Sequence, residues 1–585
     1  MSQALLSLHR GAVSPRICAI SAVSELRPVA RAVALVALFG VWGGVYAAEA
    51  LTPLAPTADP CPSCGRALAQ ATLGAVQSLP ATAGPTTPVQ SFRLNDVRLN
   101  GADALTADEL RSITGPYIGR DVTLADLEAL AQAITQRYQE RGYFLAQAVV
   151  PVQTVQGGVV DISVIEGKMG NTEVLIEPNT PLSEERVRGF LALLPPGQAV
   201  HAPDYERAML LLSDQPGVRV SSGLQQGAQA GTTDLTVEVV AAPGASFALE
   251  ADNHGTKESG RYRLGGTARW LSPLGIGDNL DARLMVSNSN ALQFGRLSYE
   301  APLGGNGWRV GVGVSRVNYE LTGEFEPLGA QGRADVVDVS LNYPLIRQRQ
   351  HNLFLRLSAD AKQLTDEFTE VNYEAKKRVH GFGLGWAWER RDNLLGGGYW
   401  ASSGTFYRGS LSLRDADFLS YDQSAAGRKT EGNFSKLTLQ FSRLQAMAPQ
   451  HALYLSVGGQ RASKNLDASE KLSLGGARSV RAYSSAEALV DQGLIGTVEW
   501  RWSFTPELTP FLFYDAARGH YARQPTAFDT DNQISLRGYG VGLSWSRPRS
   551  FSINATLAWR DGTRRAISDG GERDPRFYVQ VQKVF

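Results

Sequence analysis

The segment FSINATLAWR, residues 551–560, determines the fold because it alternates apolar and polar side chains with a period of two. One set is Phe551, Ile553, Ala555, Leu557 and Trp559, and the other is Ser552, Asn554, Thr556, Ala558 and Arg560. Successive side chains of a β-strand point to opposite faces of the sheet. The segment is therefore predicted to form a strand with one apolar face and one polar face.

The same alternation recurs from about residue 247 to the C-terminus, and two kinds of β-fold can produce it. It is clearest in residues 261–270, 279–287 and 337–343. The apolar face would be a core in a soluble sandwich and would meet lipid in a membrane barrel. Three features favour the barrel: aromatic residues near strand ends, arginines on the polar face, and a final strand that ends in Phe585. The aromatic residues are Trp270, Trp308, Trp386, Trp388, Tyr399 and Trp400, and the arginines are Arg263, Arg269, Arg283, Arg309, Arg501 and Arg560.

The length of this region sets the approximate number of strands. Residues 244–585 comprise 342 positions. Strands of roughly ten residues with comparable connections give about 17 units. Single-chain bacterial barrels have even strand numbers, so we expect a transmembrane β-barrel of about 16 antiparallel strands. A barrel of that size encloses an aqueous channel unless a segment plugs it.

The first fifty residues are predicted to be a secretory signal peptide. Arg27 and Arg31 precede the apolar run 32–45, and small residues follow it, which is typical of a cleavable signal. The run of 14 residues is short for a spanning helix, which needs roughly 20 apolar residues, and a membrane anchor is the alternative. Residues 51–90 are predicted to be a linker with a short helix at 65–78. A local Cys61–Cys64 disulfide is expected there, because the chain enters an oxidising compartment.

Two small α/β units with the element order β-α-α-β-β are predicted at residues 91–168 and 169–243. In the first, Thr106 followed by Glu109 three positions later is typical of a helix N-terminus. Residues 124–141 follow a helical period. Strands are expected at 91–99, 144–150 and 159–165 in the first unit and at 173–176, 218–224 and 234–240 in the second, whose helices are expected at 184–194 and 205–213.

Composition and motifs exclude several classes of function. Lys plus Arg and Asp plus Glu number 57 each, so no net positive charge draws the chain to nucleic acid. The histidines show no metal-ligand spacing, and the sequence contains neither a GxxxxGKS/T phosphate loop nor a GxSxG nucleophile motif. We therefore expect no cofactor, no metal and no enzymatic activity.

Three short motifs remain. The first is YQERGY at 138–143, which leads through Gly158 into VIEG at 164–167. The second is Leu474-Gly475-Gly476 followed by Val480, Arg481, Ala482 and Tyr483. The third is Phe513 and Asp515 on a late strand.

These motifs resemble those of the two-partner secretion transporters of the haemolysin-activator and filamentous-haemagglutinin-secretion type. That family belongs to a wider superfamily of outer-membrane proteins with polypeptide-transport-associated (POTRA) domains. The resemblance covers nearly all of the chain after the signal. It implies that the two α/β units are POTRA domains and that the helix at 65–78 is a plug threaded through the pore.

The second motif resembles the Val-Arg-Gly-Tyr/Phe motif on a long loop that folds back into the barrel. The third resembles a Phe-x-Asp-x-Gly motif whose aspartate meets the arginine of that loop. Ala482 and Ala517 stand where the family has glycine, and alanine is disfavoured wherever φ is positive.

The position of Asp515 follows from strand alternation as well. Leu512, Tyr514 and Ala516 form the apolar face of their segment, so Asp515 is predicted to point into the lumen. The Arg481 guanidinium can pair with it bidentately. In a wet lumen such a pair is worth about 1 kcal/mol. The alternative is that Arg481 lies on a solvated loop and Asp515 lines the pore.

The resemblance implies a protein-conducting pore of the outer membrane with its POTRA domains in the periplasm. These domains would capture an unfolded, adhesin- or haemolysin-like exoprotein at an exposed sheet edge, and the barrel would pass it outward. The barrel-assembly machinery is expected to recognise Phe585, and outer-membrane lipid to surround the barrel. Two alternatives are a barrel-assembly factor, which often carries more POTRA domains, and a passive porin, which has none.

Overall fold

The computed structural model describes residues 91–585 except 530, 549, 563–565, 567 and 569–572. The predicted signal peptide, the linker, the helix at 65–78 and the Cys61–Cys64 disulfide lie outside the described residues. Within that described part, no helix has both the length and the apolar character needed to cross a membrane.

The first α/β unit packs two helices against a small mixed sheet. Its elements are β1 (Phe92–Arg93), β2 (Asp96–Asn100), α1 (Ala107–Thr114), β3 (Asp121–Val122), α2 (Leu124–Glu140), β4 (Gln147–Val149) and β5 (Val159–Ile165). The sheet has the order β2-β5-β4, and β1 pairs separately with β3. Thr106 and Glu109 form the predicted capping box at α1, and Thr123 and Asp126 form a second one at α2. Each box satisfies backbone groups that a helix start leaves unpaired.

The second unit repeats the predicted order. It consists of β6 (Lys168–Ile176), α3 (Glu184–Leu191), α4 (Ala202–Ser213), β7 (Val218–Gln226) and β8 (Thr232–Ala241), with the sheet order β6-β8-β7. Its strands are longer than predicted. α3 ends at Leu191, earlier than predicted, shortly before Pro195 and Pro196. α4 begins earlier than predicted, because Pro203 is favourable in a first helical turn.

The first sequence motif forms the joint between the two units. The Tyr138 hydroxyl donates to Glu166 Oε1 at 2.9 Å, and the backbone N–H groups of Asp103 and Ala104 donate to the same oxygen at 2.7 and 2.6 Å. Gly142 O accepts from the N–H of Ala202 in the second unit at 2.8 Å. β4 is shorter than predicted, since the chain before it turns to pack against the second unit.

Sixteen antiparallel strands close the barrel, as predicted. In chain order they are β9 (Ala245–Asp252), β10 (Arg263–Leu271), β11 (Asn279–Ser287), β12 (Leu292–Leu303), β13 (Trp308–Glu320), β14 (Ala330–Arg347), β15 (His351–Phe368), β16 (Tyr373–Asp392), β17 (Gly398–Leu413), β18 (Gly432–Ala448), β19 (His451–Ala462), β22 (Gln492–Trp502), β23 (Leu508–His520), β24 (Gln533–Arg547), β25 (Phe551–Arg560) and β26 (Arg576–Val584). The short strands β20 (Leu472–Leu474) and β21 (Ala488–Val490) pair with each other inside the connection from β19 to β22. A fifth helix, α5 (Ala416–Gln423), lies between β17 and β18.

The alternation in the sequence becomes an apolar outer face and a polar inner face. Leu284, Val337 and Val339 are exposed on the outside, as predicted. Arginines on the inside pair with carboxylates of neighbouring strands, for example Arg263 with Asp252 at 2.8 Å. β26 closes the ring by pairing with β9, from Gln580 opposite Asp252 to Val584 opposite Ala248.

The second α/β unit rests on one end of the barrel. Arg347, at the end of β14, forms an ion pair with Asp214 at 2.7 Å, and the Arg207 guanidinium of α4 lies over the Tyr343 ring. Arg309 of β13 donates to Gln215 at 3.3 Å. We call this the near end, and the connection from β19 to β22 enters the lumen from the opposite, far end.

Candidate functional site

The connection 463–491 folds back into the barrel, and we call it the lumen loop. β20 and β21 lie on either side of its tip, residues 475–487. The apolar side chains of the tip are buried with inward-facing residues of β23 and β24; the cluster contains Leu474, Val480, Ala482, Tyr483, Phe513, Ala517, Ile534 and Leu536. The loop therefore occupies part of the barrel lumen.

Arg481 holds this tip against the barrel wall. Its Nε donates to Asp515 Oδ2 and its Nη2 to Asp515 Oδ1, both at 2.8 Å, which is the predicted bidentate pairing. The backbone N–H of Arg481 also donates to Asp515 Oδ2 at 3.1 Å. Nη1 donates to Glu499 Oε1 at 2.7 Å. One arginine thus bridges two strands, β22 and β23.

Neighbouring side chains of the barrel wall orient both carboxylates by hydrogen bonds. Thr497 Oγ1 donates to Asp515 Oδ1 at 3.0 Å, and Arg501 donates to Glu499 Oε2 at 2.6 Å. Arg481 also stacks on Phe513, with the guanidinium carbon 3.5 Å from the ring centroid. This places both predicted wall residues, Phe513 and Asp515, in contact with the predicted loop residue. The sequence did not single out Glu499 or Thr497.

The expectation of a wet, weak pair is wrong. Arg481 is 7% exposed and Asp515 is 0% exposed. A buried pair is costly to break, because removing one partner leaves the other charge without water or compensation, at about 3–5 kcal/mol. The physical reason is the loop itself, since the tip that carries the arginine also excludes water from it.

The tip motif is a β-turn. Tyr483 N–H donates to Val480 O at 3.1 Å, so Arg481 and Ala482 are its central residues. Neither Ala482 nor Ala517 has a positive φ. The turn therefore accepts alanine where the family has glycine, as a type I turn does. On the opposite side of the turn from Asp515, the Tyr578 hydroxyl of β26 donates a hydrogen bond to Tyr483 O at 2.7 Å.

A second set of buried ion pairs anchors the beginning of the loop. The Glu470 carboxylate forms ion pairs with Lys362 at 2.6 Å and with Lys436 at 2.8 Å. Lys377 bridges Asp467 of the loop and Asp366 of β15 at 3.1 and 2.9 Å. The sequence analysis missed these residues. The three lysines at inward-facing positions of β15, β16 and β18 could have indicated a site for carboxylates of the loop.

The far end of the lumen is filled by apolar side chains. Phe325, from the turn Gly323–Leu328 between β13 and β14, is completely buried there. Around it pack inward-facing residues of the nine strands β11 to β19 together with the loop residue Leu466; among them are Phe294, Tyr319, Phe368, Val379, Leu411 and Phe434. These side chains fill the far end of the lumen along β11 to β19.

The lumen loop and its surroundings carry polar contacts but no metal-type cluster. Among residues that the structure describes, no group of three or more His, Cys, Asp or Glu side chains is arranged to hold a metal ion.

Comparisons with known proteins agree with this architecture. The family model of the haemolysin secretion/activation protein ShlB/FhaC/HecB matches residues 231–545, more than half of the chain, and the model of the ShlB-type POTRA domain matches residues 92–167. The haem/hemopexin transporter protein HuxB of Haemophilus influenzae is 29% identical over 482 residues, covering 80% of this chain and 83% of that protein. The outer membrane transporter CdiB of Dickeya dadantii is 24% identical over 497 residues, 80% of this chain and 82% of its own.

Solved structures show the same fold. CdiB from Escherichia coli superposes with a TM-score of 0.69 at 20% identity, covering 87% of this chain and 94% of that chain. CdiB from Acinetobacter baumannii gives a TM-score of 0.61 at 15% identity, with coverage of 89% and 97%. The near end of the barrel, with its α/β units, faces the periplasm, and the far end faces the cell exterior. The chain therefore belongs to the haemolysin secretion/activation protein family, the outer-membrane transporters of two-partner secretion.

Proposed function

We propose that this chain captures an unfolded partner exoprotein in the periplasm and conducts it through the barrel to the cell surface. The observation that carries the proposal is a lumen loop whose tip is held by one arginine, Arg481, between two wall carboxylates. The exoprotein cannot pass through the barrel while that loop fills the lumen. Release of Arg481 from Asp515 and Glu499 is the step that opens a path.

The two sets of ion pairs give the loop a fixed root and a releasable tip. The root is tied by Glu470 and Asp467 to three lysines of different strands. At the tip, Arg481 forms buried ion pairs with the wall carboxylates Asp515 and Glu499. Breaking the tip contacts therefore lets residues 475–487 swing while the root stays anchored. The apolar far-end cluster around Phe325 then parts as the exoprotein emerges.

Capture of the exoprotein is assigned to the free edge of β7. In the second sheet both outer strands have nine residues. The edge of β6 is partly occupied, because Lys168 bridges to Ala199. β7 pairs with β8 on one side only among the described strands. An extended peptide adds to such an edge through main-chain hydrogen bonds, with little demand on sequence.

Assembly of the barrel itself is assigned to recognition of Phe585. The Phe585 N–H donates to Phe247 O of β9 at 2.8 Å, while its side chain stays 66% exposed at the near end. An exposed terminal aromatic beside the closing seam is available to barrel-assembly machinery in the periplasm. Lipid of the outer membrane covers the apolar outer face.

Comparing the culture supernatant and the outer membrane by mass spectrometry, with and without the gene, tests the transport proposal. We expect one large exoprotein to disappear from the supernatant while other outer-membrane barrels keep their abundance. An unchanged supernatant with depleted barrels would contradict the proposal and indicate an assembly factor.

A photo-cross-linking residue tests the capture edge. Placed at Gln225, at the exposed end of β7, it is expected to trap the exoprotein during secretion. The matched control is Glu185 on α3, which is also exposed but belongs to no sheet edge. Equal cross-linking at both positions would show that β7 is not the capture edge.

A further inference from the structure

The outer face of the barrel carries a basic patch at its far end, on strands β16, β17 and β19. The patch comprises Arg378, His380, Arg408, Ser410, Ser412 and Arg461. Arg378, His380, Arg408 and Arg461 are all exposed. They share strand parity with outward-facing residues, since Val379 and Gly381, between them in sequence, point inward.

The patch begins where the apolar, lipid-facing part of the outer face ends. Phe382, next to His380 on the same face of β16, is 71% exposed, and Phe406 occupies the corresponding position below Arg408 on β17. Both belong to the lipid-facing surface. On β19, Val457 is the last exposed apolar residue on the face that carries Arg461. Arg408 and Arg461 therefore stand at the border of the lipid-facing surface, where headgroups of the outer leaflet lie, and Arg378 lies roughly 13 Å farther along β16, four residues from Phe382.

The strand registers bring the patch residues together. Arg408 lies opposite Phe382, Ser410 opposite His380, and Ser412 opposite Arg378. Arg461 lies opposite Leu437, which in turn is opposite Phe406. From strand spacings, Arg408 and Arg461 are roughly 12 Å apart at the backbone, a gap that two arginine side chains can close on one anion.

The charge of the patch is not neutralised within the protein. Arg378, Arg408 and Arg461 form no ion pair with a carboxylate that the structure describes. The nearby carboxylate of Glu374 already pairs with Lys376 at 2.7 Å. Guanidinium groups bind phosphate bidentately, and the serines between them supply small hydroxyl donors.

We propose that this patch binds a phosphorylated glycolipid of the outer leaflet, with acyl chains on Phe382 and Phe406 and phosphates on Arg378, Arg408 and Arg461. The occupant is a lipid because the anion-binding groups continue directly into a lipid-facing apolar surface. Binding there holds β16 to β19, the strands that carry Lys377 and Lys436, in a fixed position relative to the membrane. The proposal is independent of the exoprotein and of the release of Arg481.

The test uses full-length protein purified from outer membranes. Co-purified lipid A is quantified by mass spectrometry for the wild-type chain and the variant Arg408→Gln/Arg461→Gln. We expect roughly tenfold less bound lipid A in the variant. The matched control is Arg390→Gln, an exposed arginine on the same outer face of β16 at the near end, which should keep wild-type levels.

Three added probes separate the sources of the anion. Bisphosphorylated lipid A in detergent should rebind to delipidated wild-type protein, whereas dephosphorylated lipid A and inorganic phosphate should bind at least tenfold more weakly. Equal binding of dephosphorylated lipid A would overturn the role of the arginines. Equal binding of inorganic phosphate would overturn the lipid assignment, and unchanged lipid A in the double variant would overturn the site. A heat-dependent shift in gel migration confirms that each variant barrel is folded.

Discussion

Ala482 at the tip of the lumen loop lies directly against Gly538 of β24: a Cβ built on Gly538 would fall 2.5 Å from the Ala482 Cβ. Non-bonded carbon atoms prefer separations of about 3.5–4.0 Å. The wall therefore has room for the loop only because it lacks a side chain there. Gly540 faces the Phe513 ring in the same way. Ala482, which stands where the motif has glycine, therefore fits because its neighbour on the wall is a glycine.

Gly538→Ala is predicted to dislodge the loop tip without unfolding the barrel. The new methyl group would clash with Ala482 and weaken the contact of Arg481 with Asp515. We expect secretion to fall several-fold, measured as exoprotein in the supernatant, because a tip that cannot dock again no longer alternates between the docked and released states. The amount of folded barrel should stay normal. Gly265→Ala is the matched control, because a Cβ at that inward-facing glycine of β10 would meet nothing closer than 3.6 Å.

The double variant Ala482→Gly/Gly538→Ala is predicted to restore most of the secretion that Gly538→Ala loses. Moving the methyl group from the loop to the wall removes the clash between these two positions. Restoration stays incomplete, because a Cβ at Gly538 would also lie 3.0 Å from the Trp559 carbonyl oxygen. A double variant as impaired as Gly538→Ala would show that the two residues are not coupled.

Arg481→Ala is predicted to free the tip permanently. Secretion should fall, because transport depends on a tip that both docks and is released, and the variant loses the docked state. It leaves Asp515 and Glu499 buried without their cation, which destabilises the docked loop by about 3–5 kcal/mol. The measurement is the labelling rate of a cysteine at Ser479, a buried tip residue, by a membrane-impermeant maleimide, with Cys61 and Cys64 replaced by serine. We expect faster labelling in the Arg481→Ala background. Unchanged labelling and secretion would remove Arg481 from the mechanism.

Glu470→Gln is predicted to destabilise the barrel more than to release the tip. It removes the charged partner of the buried Lys362 and the partly buried Lys436 and leaves Lys362 only the Asp360 carboxylate at 3.7 Å, at a cost of about 3 kcal/mol, the low end for a broken buried pair. The temperature at which the folded band disappears on gels should fall. Asp360→Asn/Lys362→Met/Lys436→Met/Glu470→Leu should recover stability, because it neutralises all four groups of this ion cluster, and uncharged replacement of a whole buried ion cluster is often neutral or stabilising. Recovery of stability without secretion would assign the cluster a role in transport.

Phe325→Ser is predicted to loosen the apolar cluster at the far end. Phe325 is completely buried in the apolar cluster, and a hydroxyl there fills less space and lacks a partner. Single-channel recordings should show larger or more frequent openings. Phe528→Ser, in another far-end connection and 71% exposed, is the control that should behave as wild type. Identical recordings for both variants would mean that the cluster does not gate the pore.

The first POTRA domain is predicted to lose stability in acid through Glu109. Hydrogen bonds from Arg141, then from Thr106 and Arg137, lower the pKa of Glu109 from 4.5 to about 2. A carboxylate with a lowered folded-state pKa stabilises the fold above its unfolded pKa, and this stabilisation is lost as the pH falls from about 4.5 towards 2. The protection of the α1 and α2 amides against hydrogen exchange, relative to the intrinsic exchange rate at each pH, should therefore fall over that range. In the Glu109→Gln variant this pH-dependent loss of protection should be smaller. An equally steep loss in that variant would contradict the assignment to Glu109.

Local sequence patterns were enough to predict most of the fold. Alternation along β11, β14 and β25 set which side chains face lipid, because a period of two leaves a strand no other choice of faces. Chain length divided by strand length predicted about 17 units, and the even strand number of single-chain bacterial barrels reduced this to sixteen. The Thr106 and Glu109 spacing predicted the start of α1. Element ends were less accurate, as at β4 and α3, where packing between the POTRA domains and nearby prolines decided the bounds.

The sequence by itself determined the membrane barrel, the two α/β domains and the pairing of Arg481 with Asp515, since each depends on a short pattern read within one segment or on a known motif. Only the tertiary structure decided that this pair is buried, that Glu499 completes it, and that Gly538 makes room for Ala482. It also decided the root contacts, such as Lys377 with Asp467, which lie 90 positions apart. These depend on the register of many strands around the barrel and on how deeply the loop inserts, and no local pattern encodes either.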